Sequence, residues 1–307
     1  MPRLQSFVRS MPAKLVSLSV TLLYIALAAL TATVLGWFAM RRWQARESRL
    51  KRLAAPLEPA FLERLEAMVP LAHGLPEALR ARWLEAVRLF LTDTEIQGCQ
   101  GLAVDDDLRA CVAGHACLLL VGRPDLRPYP DLGTVLLYPS TYVRRDEWAL
   151  EGGLVVREEG MEFDGESWDR GCVILSVKAV HESMRAYDGF NVVLHEFAHQ
   201  FDALDGVSNG APPMPRALQR RWAPAMQAAW ERLVEADRRR RRTFLDPYGA
   251  ESPAEFFAVL TETFLELPWD LELEHPDLFA LLAELFGFDP RGWQERPSDL
   301  PEAPTSL

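Results

Sequence analysis

The chain has 307 residues, 49% of them apolar, which is enough for a sizeable core and one domain with an appendage. Its net charge of −11 is unevenly spread: residues 1–52 hold nine Lys/Arg and only Glu47, and the remainder stands at −19. A body this acidic repels phosphates, which excludes nonspecific nucleic-acid binding, and no direct nucleic-acid contact is expected.

From Leu15 to Met40 no charged side chain occurs. At about 1.5 Å rise per residue this run exceeds the hydrocarbon thickness of a bilayer, so it predicts a transmembrane helix over 15–40 after an N-terminal tail of 1–14. Trp37, Phe38 and Trp43 suit an interfacial belt, and residues 41–55 read as a basic juxtamembrane linker with Arg41, Arg42, Arg46, Arg49, Lys51 and Arg52. The heavier positive flank stays inside, which predicts a single-pass protein of the inner (cytoplasmic) membrane with the following domain in the cytoplasm. Ala26-Leu27-Ala28 offers a competing signal-peptide cleavage site, but the apolar run continues past it to Arg41-Arg42, as a stop-transfer segment does.

Between Pro56 and Phe90 the apolar spacing is helical, broken at Gly74-Leu75-Pro76, with His73 in that turn. Leu102 to Val104 reads as a short strand, and Leu108 to Val121 as a buried helix carrying Cys111, His115 and Cys117. No Cys-x-x-Cys spacing occurs there, so those thiols read as core residues rather than a second metal site. The four cysteines, Cys99, Cys111, Cys117 and Cys172, show no framework spacing and fit a reducing compartment. Residues 134–138, 153–157 and 171–177 read as strands, with His181 in the connection that follows. The last of these strands belongs to a sheet whose edge is expected to take a peptide by strand addition, the alternative being an ordinary core strand.

The segment Asn191-Val192-Val193-Leu194-His195-Glu196-Phe197-Ala198-His199-Gln200-Phe201-Asp202 has the H-E-x-x-H pattern. On a helix, i and i+4 share a face, so His195 and His199 can present two imidazoles to one Zn²⁺ with Glu196 beside them as general base. Val193, Phe197, Phe201 and Leu204 form a separate apolar stripe, and Asp205-Gly206 ends the helix. Asp202, three residues after His199, stands where it can bond a ligand imidazole or cap backbone. A loop follows at 208–215, then a helix around 222–234, and then five arginines, 238–242, that read as a solvated helix end, with a docking patch for an acidic partner as the alternative.

A catalytic zinc needs a third protein ligand and an open position for water. Downstream, Ser252 reads as an N-cap and Pro253 as the first helical residue, which puts Glu255 both within reach of a metal and at the capping-box position. Glu262, seven residues on and on the same face, and Glu251 are the alternatives for the ligand. The chain closes with a helix around 278–286, and residues 291–307, rich in Pro, Glu and Ser, read as a disordered tail.

His195-Glu196-Phe197-Ala198-His199-Gln200-Phe201-Asp202, Leu204-Asp205-Gly206, Tyr248-Gly249 and Pro253-Ala254-Glu255-Phe256-Phe257-Ala258 together resemble the Mlc titration factor A family of zinc peptidases. Tyr138-Pro139 and the run Gly165 to Gly171 extend the likeness, which spans roughly residues 56–290 and leaves out the first 55. That family is itself similar to the catalytic domain of anthrax lethal factor, which has a second glutamate four residues after its zinc-binding one. This chain has Val259 there. The resemblance implies Glu255 as third ligand beside His195 and His199, Tyr248 as oxyanion donor, one Zn²⁺ per chain and a peptide or protein substrate. It also implies binding of a transcriptional repressor of sugar uptake.

The expected fold is α+β: a zincin-like metallopeptidase domain over 56–290, its active-site helix beside a small mixed sheet, preceded by the transmembrane helix. The expected function is a membrane-anchored zinc peptidase with Glu196 as general base. The alternative is a tethered regulatory protein that sequesters a repressor, with hydrolysis incidental.

Overall fold

A computed structural model describes residues 13–140, 142–143, 147–149, 155–157, 162–163, 165–168, 171–185, 187–294 and 297. The chain divides into two units, Met1–Pro56 and Leu57–Leu307.

Among the described residues of the first unit there is one helix, α1 (Ala13–Ala54), 42 residues long. It runs on through Arg41 and Arg42 to Lys51 and Arg52, cations that suit the carbonyl end of a helix. Thr31 and Thr33 donate their hydroxyls to the Leu27 and Ala29 carbonyls at 2.8 Å, and the Arg41 guanidinium lies 5.0 Å from the Trp37 ring centre. Among the described residues no helix is long and apolar enough to cross a membrane. That finding overturns the transmembrane reading of 15–40, and with it the single-pass inner-membrane assignment and the membrane as a partner. Absence of charge over 15–40 does not bound a span, because the same helix continues through Arg41, Arg42, Arg46, Arg49, Lys51 and Arg52 to Ala54. Most side chains of 13–28 lie outside the described residues.

The second unit begins with α2 (Pro59–Met68) and α3 (Glu77–Asp93), then β1 (Glu95–Gly98), α4 (Asp106–Leu118) and β2 (Thr134–Tyr138). Short strands follow: β3 (Tyr142–Val143), β4 (Glu147–Ala149), β5 (Val155–Arg157), β6 (Glu162–Phe163) and β7 (Gly165–Trp168). It continues with β8 (Cys172–Ser176), α5 (Val177–Ser183), α6 (Val192–Asp202), α7 (Arg216–Arg238), α8 (Pro253–Glu266), α9 (Pro268–Glu274) and α10 (Pro276–Phe286).

The main sheet has the order β1-β2-β8-β7. β1, β2 and β8 run parallel, with Ile96 beside Val135 and Val135 beside Val173, while β7 joins β8 antiparallel, with Ser167 beside Val173. β3 pairs with β6, and β4 with β5, as separate two-stranded ribbons. The fold class expected from sequence is corrected here: the chain is mostly helical, with a small sheet built on three parallel strands. Parallel neighbours cannot be joined by a hairpin and need a crossover. β1 reaches β2 only by way of α4, so helices rather than strands supply most of the chain.

Two local expectations also change. Residues 102–104 are loop, and the strand lies earlier, at β1, where Ile96 alone is buried and the apolar alternation is missing. Of the expected strand 153–157, the described residues 155–157 form β5, outside the main sheet. The proposed disordered tail falls largely outside the described residues.

The core lies on both sides of α6. Phe197 meets Phe90 and Tyr129, with ring centres 5.6 and 4.9 Å apart, and Tyr129 donates its hydroxyl to the Ala116 carbonyl at 2.7 Å. Phe201 meets Phe286 at 5.2 Å, and Phe286 continues to Phe264. Each such ring, fully buried, contributes about 1.5–3 kcal/mol. Gly114 lets α4 and α2 approach closely, since a Cβ there would stand 2.4 Å from Val69 Cγ2. Cys111, His115 and Cys117 are all buried on α4, and the His115 ring bonds the Cys111 carbonyl at 2.9 Å, so they are core as read.

Candidate metal centre

Asn191 starts α6: its side-chain oxygen accepts the Leu194 amide at 3.1 Å. Val193, Phe197 and Phe201 face the core, which leaves His195 and His199 on one face with ring centres 5.0 Å apart. α6 packs against α8 and against strand β7.

Ser252 caps α8 by accepting the Glu255 amide at 3.1 Å, with Pro253 as the first helical residue. The Glu255 carboxylate turns towards the histidines: its Oε2 lies 2.9 Å from His195 Nε2 and 3.3 Å from His199 Nε2. Donor atoms of His195, His199 and Glu255 all lie within 4.8 Å of one another.

Glu262 is brought to the other side of the same imidazole, where it accepts from His195 Nδ1 at 2.7 Å. It stands behind the cluster rather than in it. Glu251 is exposed in the preceding turn. Asp202 is fully buried at the end of α6, but it accepts from the Ser208 hydroxyl at 3.1 Å and the Gly210 amide at 2.7 Å, so it caps the loop backbone.

Asp246 sets the turn before α8 by accepting the Tyr248 amide at 2.8 Å. Tyr248 is half exposed, with its ring 5.8 Å from that of His195. His181 and the arginines 238–242 lie exposed on the surface.

Burial dominates the electrostatics. It pushes the Glu196 carboxyl up to about 7, and Glu196 Oε2 is buried with no hydrogen-bond partner among the described residues. Burial alone would lower the His195 imidazole, but the Glu262 carboxylate and the bond to Glu255 outweigh it and raise the group well above its ordinary value. Burial opposes ionisation of Glu255 too, yet the bonds from His195 and His199 prevail and hold it down at about 2. Burial, and then the carboxylate of Glu255, keeps the Tyr248 hydroxyl protonated well above its usual range.

The sequence reading missed the network that holds the start of α6. Glu266 accepts from the Gly189 amide at 3.1 Å and from Asn191 Nδ2 at 3.0 Å, while Glu262 accepts the Asn191 amide. The signal was present in the spacing: 255, 262 and 266 are seven and eleven residues apart, one face of a helix.

Burial raises Glu266 to about 8, above its ordinary 4.5. Between about pH 5 and 8 the folded, metal-free chain therefore binds more protons than the unfolded one, and its stability falls as pH rises. The slope reaches up to about 1.4 kcal/mol per pH unit. Urea unfolding of wild type and Glu266→Gln across that range should show their stability difference changing with pH in this sense; a constant difference would refute the assignment.

Residues 40–287 match the family described as glucose-regulated metallo-peptidase M90. The chain is 35% identical over 238 residues, 76% of its own length and 86% of the relative's, to the uncharacterised protein slr2042 of Synechocystis sp.. It is 29% identical to the Mlc titration factor A of Escherichia coli O9:H4 over 84% of this chain and 94% of that one. With the Mlc titration factor A of Serratia proteamaculans it shares 32% identity over 72% of this chain and 85% of that one.

Proposed function

The chain belongs to the glucose-regulated metallo-peptidase M90 family, and on that premise we propose that it is a zinc-dependent peptidase whose catalytic unit spans residues 56–290. The observation that carries the reading is the meeting of two imidazole Nε2 atoms on one Glu255 oxygen, at 2.9 and 3.3 Å. Two donors each 2.0–2.1 Å from a common ion at the tetrahedral angle stand about 3.3 Å apart, so the spacing suits a zinc shell, and a His/His/Glu donor set suits a catalytic zinc. His195, His199 and Glu255 are the residues that would hold it. Zinc bound there would supply a Lewis acid for the scissile carbonyl and bring the pKa of a water towards about 7.

The remaining chemistry belongs to the chain's own groups. Glu262, on His195 Nδ1, fixes the ring so that Nε2 faces Glu255. Glu196 is buried beside the histidines with a free oxygen and a carboxyl raised to about 7. It takes the proton of the attacking water and delivers it to the leaving amine. Tyr248 keeps its proton and stands by His195, which suits it to donate to the oxyanion, a contact worth about 3 kcal/mol. β7, at the end of the sheet order and packed on α6, is the edge to which an extended peptide would add as a further strand.

A second reading is favoured by the relatives' name, Mlc titration factor A. On it the chain binds a repressor of the Mlc kind, with hydrolysis secondary.

The test is metal content together with cleavage of a peptide library. The purified chain is expected to carry one zinc per molecule, to lose cleavage on dialysis against a chelator, and to regain it with added zinc. A chain that takes up no zinc would sink the reading. One that holds zinc but cleaves nothing would favour the binding role.

A further inference from the structure

Two carboxylates one helical turn apart on α8 grip the start of α6. Glu266 uses both oxygens, Oε2 for the Gly189 amide at 3.1 Å and Oε1 for Asn191 Nδ2 at 3.0 Å. Asn191 is itself the N-cap of α6, accepting the Leu194 amide at 3.1 Å, and its own amide goes to Glu262. From α5, Ser183 adds a hydroxyl that accepts the Val192 amide at 3.0 Å. The ligand candidate Glu255 lies on the same face of α8, and at 1.5 Å per residue it is about 16 Å along the axis from Glu266. α8 thus carries the metal-facing carboxylate at one end and the grip on α6 at the other. A slide or roll of α6 along α8 changes the approach of Glu255 to both histidines at once.

We propose that Glu266 is a positioning residue of the metal centre: through Gly189 and Asn191 it sets the register of α6 against α8, and so the meeting of Glu255 with His195 and His199. This inference rests on the zinc-site reading above. Its warrant beyond geometry is the nature of the group. Glu266 is only 4% exposed, and a carboxyl is expensive to bury where an apolar side chain would fill the same space. Hydrophobic packing does not call for it, whereas the Gly189 backbone amide and the Asn191 side-chain amide that face it do.

The test compares zinc affinity of the full chain, by competition with a chelating dye, and the visible absorption of the Co²⁺-loaded chain. Wild type, Glu266→Ala and Thr261→Ala are measured side by side. Thr261 is fully buried on the same helix, so its truncation removes packed atoms from α8 without touching the grip. Glu266→Ala is expected to weaken zinc binding about tenfold or more and to alter the cobalt bands. Thr261→Ala, lowered in melting midpoint, should match wild type in both. Wild-type affinity and an unchanged spectrum in Glu266→Ala would overturn the proposal, as would an equal loss in Thr261→Ala. A wild type that binds no zinc overturns the site reading and this inference together, and is distinguished because it fails before any variant is compared.

Discussion

Glu196→Gln is expected to keep one zinc per chain and to lose about 10²- to 10⁴-fold in kcat/KM for peptide cleavage, the scale of a positioned acid–base group. Zinc is retained because the converging donor atoms belong to His195, His199 and Glu255, and Glu196 is outside that set. The fold is retained because Gln matches Glu in shape, and a carboxyl pushed by burial to about 7 gives up little when replaced by a neutral amide. Cleavage is lost because the amide cannot accept the water's proton. Metal analysis, thermal unfolding and a peptide assay on the same preparation check all three parts. Loss of zinc in the variant would make Glu196 a ligand. Retained cleavage would place the base elsewhere. Cleavage absent from the wild type as well would move the weight to the binding role.

The site was more legible in the sequence than the fold around it. H-E-x-x-H is a local pattern: the i, i+4 spacing alone puts His195 and His199 on one face, and the intervening Phe197 marks the opposite one. Glu255 was ambiguous, because the same position after Ser252 serves a capping box. Only tertiary packing decides that its carboxylate leaves the cap for the imidazoles. Glu262 shows the same limit. Its helical face was readable, but whether it meets Nε2 or Nδ1 of His195 depends on how α8 lies across α6.

The sheet was less legible. β1 buries one side chain, Ile96, so its pairing with β2 leaves no alternation to read. The long uncharged run 15–40 misled for a different reason: α1 does not end where the charges begin but continues through Arg41, Arg42, Arg46, Arg49, Lys51 and Arg52, and among the described residues no helix is long and apolar enough to cross a membrane.

Trp222→Ala is expected to produce the largest loss of stability, about 3–5 kcal/mol from the packing of a fully buried tryptophan. Trp222 is 1% exposed, lies against the Phe257 ring at 5.9 Å, and donates its indole N–H to the Gly210 carbonyl at 2.9 Å. Gly210 lies in the loop between α6 and α7, against the start of α8. It adopts φ +76°, and a Cβ there would stand 2.3 Å from the Pro253 carbonyl oxygen at the start of α8. Its amide is held by Asp202 at the end of α6. Losing the indole therefore opens a cavity and also leaves the buried Gly210 carbonyl without its donor, a further penalty of about 1–3 kcal/mol if water cannot reach it. Trp222→Phe separates the two contributions, since it keeps most of the contact with Phe257 and removes only the hydrogen bond; about 1–3 kcal/mol is expected. Urea midpoints of the three proteins measure this directly. Equal losses in both variants would assign the effect to the hydrogen bond rather than to packing. Since the loop packs against the start of the helix that carries Glu255, the folded fraction of Trp222→Ala should also bind zinc more weakly than that of Trp222→Phe, and equal affinities would show that the loop does not govern where Glu255 stands.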